Sequence, residues 1–407
     1  MTSPSPWDRS PSPTQTTLTE AGHKALAAFA LAPDRIHLNH GSFGAVPVAV
    51  RDVQDRIRAH IESDFTSFYR EEMAGAMRFM AAKVAARFGG QGEDWVFCEN
   101  ATSAINGVIA SFPLAADDEI VTTSHVYGAV LRTMRIMAER RGAKLVIAQL
   151  PALLDHDDQV VEAIAATFTA RTRLLIVDHI TSATATIFPV ARIIARAKAA
   201  GIAVMVDGAH APGQIPLDVP AIGADWYTGN AHKWLFAPKG CGILWTAPSR
   251  QPTTLPPVLS HGSESGYTAA FDWVGTRDLS AWLSFEAAGQ AFDSFGGSAL
   301  MARNRQLAAQ GTAILCEGLG SRCAAPPQMR AAMATIQLKE KQEDLTVAAA
   351  FQRALAEKAK IIVPFSNFAG GLMFRVSANL YNEIDDYRRC LAACLELRDG
   401  PFREHFG

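Results

Sequence analysis

The chain has 407 residues, 49% of them hydrophobic and 19% charged, with a formal net charge of −2. That length exceeds what one hydrophobic core usually organises, so two domains are expected, and the composition is that of a well-packed globule. The near-neutral balance gives no general pull toward nucleic acid or acidic membranes, and no apolar run approaches the roughly 18 residues that span a bilayer.

The opening stretch, MTSPSPWDRSPSPTQ, has no basic start followed by an apolar segment, so it does not read as a secretory signal. Its Pro and Ser content predicts a flexible tail over 1–20. Residues 21–45 are expected to pack on a smaller C-terminal domain. From about residue 94 two kinds of segment alternate. Short apolar or β-branched runs occur at DWVFCEN, DEIVTTSH, AKLVIAQL, TRLLIVDHI and GIAVMVDGAH, and helical patterns lie between them at SAINGVIASF, YGAVLRTMRIMAERRG, QVVEAIAATFTA and VARIIARAKAA. Strands that are apolar on both faces and alternate with helices predict a mostly parallel sheet in an α/β domain over 46–285. GCGILWTA reads as a further strand, with Gly240 and Gly242 marking a tight turn or close backbone approach. Beyond about residue 280 long helical patterns dominate, at SAWLSFEAAGQAFDSF, ALMARNRQLAAQGTAILCEGL and DLTVAAAFQRALAEKA, mixed with strands at MATIQLKE and GGLMFRVSA. They predict a smaller α+β domain over 286–407.

Several residue types invite chemical readings that their spacing does not sustain. Cys98, Cys241, Cys316, Cys323, Cys390 and Cys394 are scattered in apolar contexts, which predicts reduced thiols and a cytoplasmic location. Cys390 and Cys394 are spaced for one helix face but lack neighbouring His or Cys partners, so they read as core. His37 and His40 in HLNH lack a third ligand, and no metal site is expected. PKGCG lacks the glycine spacing and the following Ser or Thr of a phosphate-binding Walker loop. DHDD reads as a solvated loop or helix cap.

Ligands of open α/β sheets bind at the carboxyl ends of the strands, and polar residues gather at those ends here. CENATS ends a strand and opens a helix, so Asn100, Ala101, Thr102 and Ser103 offer a helix N-terminus suited to a phosphate, or an ordinary N-cap. Asp207 ends the run AVMV, where a buried carboxylate needs a cation or several donors. Lys233 follows in TGNAHKWLFAPKG, beside Trp234, Leu235 and Phe236, where a free ammonium would be costly. An Asp at a strand tip and a Lys in a second loop meet the needs of pyridoxal phosphate. The amine bonds to the aldehyde, and the carboxylate keeps the pyridine nitrogen protonated, so that the ring withdraws electrons from a substrate carbanion.

VDGAH, TGNAHKW and PKGCGIL, in that order, resemble the class V aminotransferase family of fold-type I pyridoxal phosphate enzymes, and LNHGSFG, WVGTRD and FRVSANLYN resemble its isopenicillin N epimerase-like branch. The likeness runs from about residue 36 to about 396. It implies the fold-type I architecture, with a large domain built on a seven-stranded-type sheet and a smaller α+β domain. It implies Lys233 as the Schiff-base lysine, Asp207 on the pyridine nitrogen and His210 on the ring hydroxyl. Asn100, Ala101, Thr102, His232 and Asn230 would hold the phosphate, with Asn230 standing where some relatives carry Ser. Thr276 in GTRD would reach the phosphate of a partner subunit, which implies a homodimer with shared sites. Either His125 or Tyr127 in SHVYG would cover the ring, and Ser182 would lie near the ring hydroxyl. Arg375 would clamp a substrate α-carboxylate, with Asn39 and His40 lining the same end. The plain alternative for Arg375 is a structural pairing with Glu383 or Asp385.

The cofactor supplies the electron sink and the protein selects the bond. Between Cys323 and Arg375 there is no cysteine, so a desulfurase with a nucleophilic cysteine is not expected. Epimerase or racemase-like chemistry at an amino-acid α-carbon ranks first. It uses Lys233 on one face and Tyr127 or His125 on the other. C–S cleavage comes second and transamination third. A degenerate binding scaffold is opposed by the presence together of Lys233, Asp207 and Arg375.

Overall fold

The computed structural model describes residues 20–405; the tail expected over 1–20 lies, but for Glu20, outside the described residues. Seven runs form one sheet: β1 (Trp95–Cys98), β2 (Glu119–Thr123), β3 (Lys144–Ala148), β4 (Thr172–Asp178), β5 (Ala203–Gly208), β6 (Trp226–Asn230) and β7 (Gly242–Thr246). Their spatial order is β1-β7-β6-β5-β4-β2-β3. All pairings are parallel except those of β7, which runs antiparallel to both β1 and β6. The central strands are buried on both faces, which is why their sequences are continuous apolar runs rather than alternating ones. β6 was not predicted as a strand: WYTGN ends in Gly-Asn, which reads locally as a turn, yet it is buried throughout between β5 and β7.

Residues 46–93 carried no predicted element. They supply α1 (Val48–Ser63) and α2 (Met73–Phe88). Val50, Val53, Ile57 and Ile61 recur at helical spacing along α1 and are buried. The crossovers between parallel strands include α3 (Ala101–Ser111), α4 (Gly128–Arg141), α5 (Asp158–Ala165) and α6 (Val190–Ala199). α5 stops short of the predicted TFTA, where the Thr167 hydroxyl donates to the Ile164 carbonyl and closes the last turn.

A four-stranded antiparallel sheet is built later in the chain from β8 (Arg322–Cys323), β9 (Met333–Lys339), β10 (Phe365–Phe368) and β11 (Gly371–Ser377), in the order β10-β11-β9-β8. Its core includes Phe351, Phe374, Tyr387 and the free thiols Cys390 and Cys394. In this sheet Arg375 lies opposite Thr335. Residues 36–37 pair in parallel with 361–362, and the Gly22 N–H donates to the Leu380 carbonyl. No helix among the described residues is long and apolar enough to cross a membrane.

The parallel strands bring Asp178, Asp207 and Asn230 to one edge of the sheet. Asp178 and Asp207 are register partners, and Asn230 ends the next strand. A four-residue helix, Ala231–Trp234, follows at once and carries Lys233 to the same edge.

Candidate active site

Lys233 lies against a cavity of about 390 Å³ at the carboxyl ends of β4, β5 and β6. Its Nζ sits 3.0 Å from His210 Nε2. The other nitrogen of that ring, Nδ1, accepts from the indole N–H of Trp234 at 3.4 Å. A neutral imidazole with Nδ1 as acceptor carries its proton on Nε2, so His210 donates and the lysine amine accepts. An amine can accept only when it is neutral. The electrostatics agree: burial, then the Arg375 charge, brings Lys233 down to about 7, although Asp207 and Asp178 oppose the shift. Burial holds His210 well below the usual imidazole range, and any protonation of Lys233 would press it further in the same direction. The apolar run beside Lys233 thus lowers the cost of a free nucleophilic amine.

The backbone under Lys233 is held from the far side. His40 Nε2 donates to the Lys233 carbonyl at 2.8 Å, and its Nδ1 accepts from the Tyr381 hydroxyl at 2.9 Å. Burial keeps His40 neutral, at about 3. Gly44 passes so close that a Cβ there would lie 2.1 Å from the His232 carbonyl oxygen and 2.5 Å from that of Lys233; its φ is also +72°. The second glycine of LNHGSFG is therefore required by close approach as well as by backbone conformation.

At one end of the cavity the N-terminus of α3 opens. Asn100 caps it by accepting from the Ser103 N–H at 3.0 Å, and Asn230 Oδ1 accepts from the Ala101 N–H at 2.8 Å. Thr102 and His232 also line this end. His232 Nδ1 donates to the Cys241 carbonyl at 3.2 Å, which leaves Nε2 as the free nitrogen of the ring. A helix N-terminus with amide, hydroxyl and imidazole groups around it is an anion site. Asp207, at the strand tip, accepts from the Ala209 N–H at 2.9 Å. A neutral amine, a strand-tip carboxylate and an anion-holding helix end together fit a phosphate ester that bears an aldehyde and a ring nitrogen.

Arg375 is not itself among the lining residues; it is buried behind Ser42 and Ser182, which are, and has no carboxylate partner among the described residues. Its Nη1 donates to the Ser182 carbonyl at 2.6 Å, with Ser182 Oγ at 3.4 Å, and its Nη2 donates to Ser42 Oγ at 3.0 Å. Burial lowers its pKa to about 10, so it remains a cation at neutral pH. The pairing with Glu383 or Asp385 considered from sequence does not form. Glu383 instead accepts from the His23 N–H at 2.7 Å.

The structure separates the expected site residues. Asn100, Ala101, Thr102, Tyr127, Ser182, Asp207, His210, Asn230, His232 and Lys233 share the cavity. His125 does not reach it. That ring is buried, bonded to Thr184 Oγ1 and the Pro151 carbonyl at 2.9 Å each, and packed on Phe368. Tyr127, two residues on, is 46% exposed at the cavity. The turn leaving β2 points one side chain inward and the other out. His40 sits behind the Lys233 backbone rather than on the wall, and Asn39 acts one step back, accepting from the Ser42 hydroxyl at 2.6 Å. Thr276 is exposed on the loop after Gly275 and is not among the residues that line this chain's own cavity. Four lining residues were missed: Ser42, Phe43, Asp178 and Ala209, the last inside VDGAH. Ser42 and Phe43 stand inside LNHGSFG. Asp178 follows LLIV in TRLLIVDHI as Asp207 follows AVMV, so the strand-tip rule that singled out Asp207 applies to it equally.

Comparison with known proteins agrees with this geometry. The family model for aminotransferase class-V matches residues 23–383. Isopenicillin N epimerase of Streptomyces clavuligerus is 31% identical over 395 residues, covering 93% of this chain and 98% of the relative. Hercynylcysteine sulfoxide lyase of Schizosaccharomyces pombe is 25% identical, covering 90% and 95%. In fold, the chain is similar to the cystine C–S lyase C-DES solved with its product cysteine persulfide, with a TM-score of 0.77 at 19% identity over 91% of this chain and 98% of the other. With a lysine, a strand-tip aspartate and a helix N-terminus converging on one cavity, and with a family match that spans most of its length, the chain belongs to the class-V aminotransferase family of pyridoxal 5'-phosphate-dependent, fold-type I enzymes.

Proposed function

We propose that the protein is a C–S lyase acting on a cysteine-derived amino acid. The observation that carries this reading is the division of proton-handling groups on the cavity wall. One base, Lys233, is enclosed and poised near 7; one acid, Tyr127, stands at the accessible rim; and His125, the other sequence candidate for the second face, is turned away. An enclosed base suits removal of the Cα proton, and an acid at the rim suits protonation of a departing sulfur on its way out. Pyridoxal phosphate, when bound, supplies the electron sink that makes the Cα proton acidic.

The other roles follow from the geometry. The Arg375 fork orients the substrate carboxylate, helped by Ser42 and Ser182, which hold the guanidinium from two sides. Asp207 keeps a negative charge at the ring nitrogen. Asn100, Ala101, Thr102, Asn230 and His232 hold the phosphate, and Thr276 reaches the phosphate of a second copy. No cysteine lines the cavity among the described residues, so the sulfur leaves as a free thiol rather than passing to an enzyme thiol. The balanced overall reaction takes an S-substituted cysteine and one water to a thiol, pyruvate and ammonium. Relatives named L-cysteine desulfhydrase and hercynylcysteine sulfoxide lyase support this reading.

Epimerisation at Cα is the second reading, supported by the 31%-identical relatives named isopenicillin N epimerase and by Tyr127 as a second proton-handling group on the cavity wall. The deciding experiment incubates the holoenzyme with L-cysteine, cystine and S-alkyl cysteines in D₂O. Pyruvate and thiol should appear together. Tyr127→Phe should slow thiol release more than exchange of the α-proton, and Lys233→Ala should abolish both. Exchange with inversion at Cα and no thiol release would establish the epimerase instead.

A further inference from the structure

Asp178 is used by none of the roles above. It closes β4, Asp207 stands one residue before the end of β5, the two are register partners on adjacent parallel strands, and both are buried and line the cavity. Their surroundings differ. Asp207 accepts the Ala209 N–H at 2.9 Å. Asp178 Oδ2 is buried with no hydrogen-bond partner, and Asp178 forms no ion pair among the described residues. The groups facing it are few. Asp207 and Lys233 act on it through space, and its own N–H and that of Tyr127 lie close enough to favour its anion. His179 is next in the chain but turns away to the Tyr227 hydroxyl at 2.9 Å, and His210 is engaged with Lys233.

Two carboxylates on neighbouring strand tips, out of water and beside a single amine, are not both readily ionised. The charge goes to Asp207, whose carboxylate accepts the Ala209 N–H and, unlike that of Asp178, has no buried oxygen left without a partner. An ionised Asp178 would leave one anionic oxygen buried without a donor, whereas the neutral acid gives that oxygen a proton. We propose that Asp178 is a neutral carboxylic acid that donates its O–H into the cavity, so that the Asp178–Asp207 pair holds one proton and one negative charge. Burial, and then the charge of Asp207, hold its carboxyl well above the usual carboxylate range, in agreement with this assignment. In the loaded enzyme a single anion then faces the ring nitrogen, and Asp178 adds a neutral donor beside it. That consequence rests on the cofactor reading; the protonation state does not.

The test is infrared spectroscopy of the full-length protein in D₂O at neutral pH, both as purified and after hydroxylamine has removed any bound carbonyl cofactor. With ¹³C-aspartate labelling, a protonated-carboxyl C=O band of aspartic acid is expected in both samples. It should vanish in Asp178→Asn. In Asp207→Asn the neighbouring charge is gone, so the band should titrate about one pH unit lower or more. The proposal is overturned if the wild type shows no such band, or if the band survives unchanged in Asp178→Asn. Should Asp178→Asn not fold, the Asp207→Asn shift decides, and an unmoved midpoint overturns the proposal. Failure of the cofactor reading would show separately, as no bound pyridoxal phosphate in a protein that still carries the band.

Discussion

Replacing Arg375 by Lys and by Met separates the two effects of its guanidinium. The group is buried, held by Ser182 O at 2.6 Å and Ser42 Oγ at 3.0 Å, and has no carboxylate counter-ion among the described residues. A substrate carboxylate is the partner it lacks. Arg375→Lys keeps the charge but loses the planar fork. Losing the bidentate pair is expected to cost about 1.5–3 kcal/mol, which raises KM for amino acids roughly 10–100-fold. Arg375→Met removes the charge as well, and Lys233 then feels the difference, because Arg375 is second only to burial in holding its amine near 7. A like charge acting at an effective dielectric of about 20 contributes on the order of 1–2 kcal/mol, so Lys233 should move up by about one pKa unit. Two assays read these effects: KM in the holoenzyme, and the pH dependence of reductive trapping of pyridoxal phosphate on Lys233 in cofactor-free protein. The Lys variant should show a raised KM and an unmoved midpoint. The Met variant should show a larger rise in KM and a midpoint shifted upward. Amino-acid binding by Arg375→Lys as tight as the wild type's would place the carboxylate clamp elsewhere. An unmoved midpoint in Arg375→Met would refute the electrostatic coupling.

Other perturbations test the rest of the site. In cofactor-free protein Lys233 gives up its proton near pH 7, while in the unfolded chain it keeps it to about 10.5, so stability should rise with pH across that window; Lys233→Met should flatten the rise by about 2–4 kcal/mol, the full shift discounted for cavity water, in urea melts at its two ends. Gly44→Ala forces a methyl group against the Lys233 and His232 carbonyls, and should cost about 2 kcal/mol in thermal melts and more than about tenfold in cofactor affinity; normal values for both would mean that the turn yields freely. Asp207→Asn should retain some cofactor yet slow α-proton exchange by about 10²–10³-fold, and an unchanged exchange rate counts against its charge at the ring. If Thr276 completes a neighbour's site, sedimentation at low concentration should show a dimer and Thr276→Ala should lose cofactor faster on dialysis; a monomer that retains cofactor normally contradicts the shared site.

Most of the sheet was legible because burial leaves a local trace: a strand covered on both faces must be apolar at every position, and AVMV and LLIV say so without reference to the rest of the chain. The strand-tip rule then pointed to Asp207 from its place alone, and would have pointed to Asp178 had it been applied evenly. WYTGN escaped because Gly and Asn are turn residues in local context, and only the flanking strands β5 and β7 make that segment a strand.

Lys233 beside an apolar run, an acid at the end of a buried strand, and a capping Asn at the start of a helix are statements about neighbours in the chain, and the amino-acid sequence determined them by itself. Which way a side chain leaves the backbone, and what meets it from afar, are different matters. His125 and Tyr127 stand two residues apart in one turn, and nothing local says that the first is enclosed by Thr184, Pro151 and Phe368 while the second faces the cavity. His40 has the composition of a site residue, yet packing puts it beneath the lysine rather than beside the ligand. Arg375 has acids nearby in sequence, but β11 carries its fork to Ser182 and Ser42, nearly two hundred and more than three hundred residues away. Periodicity and capping are short-range, so they survive in a linear reading. Counter-ions, enclosure and proton sharing depend on distances between elements, and those exist only once the elements have packed.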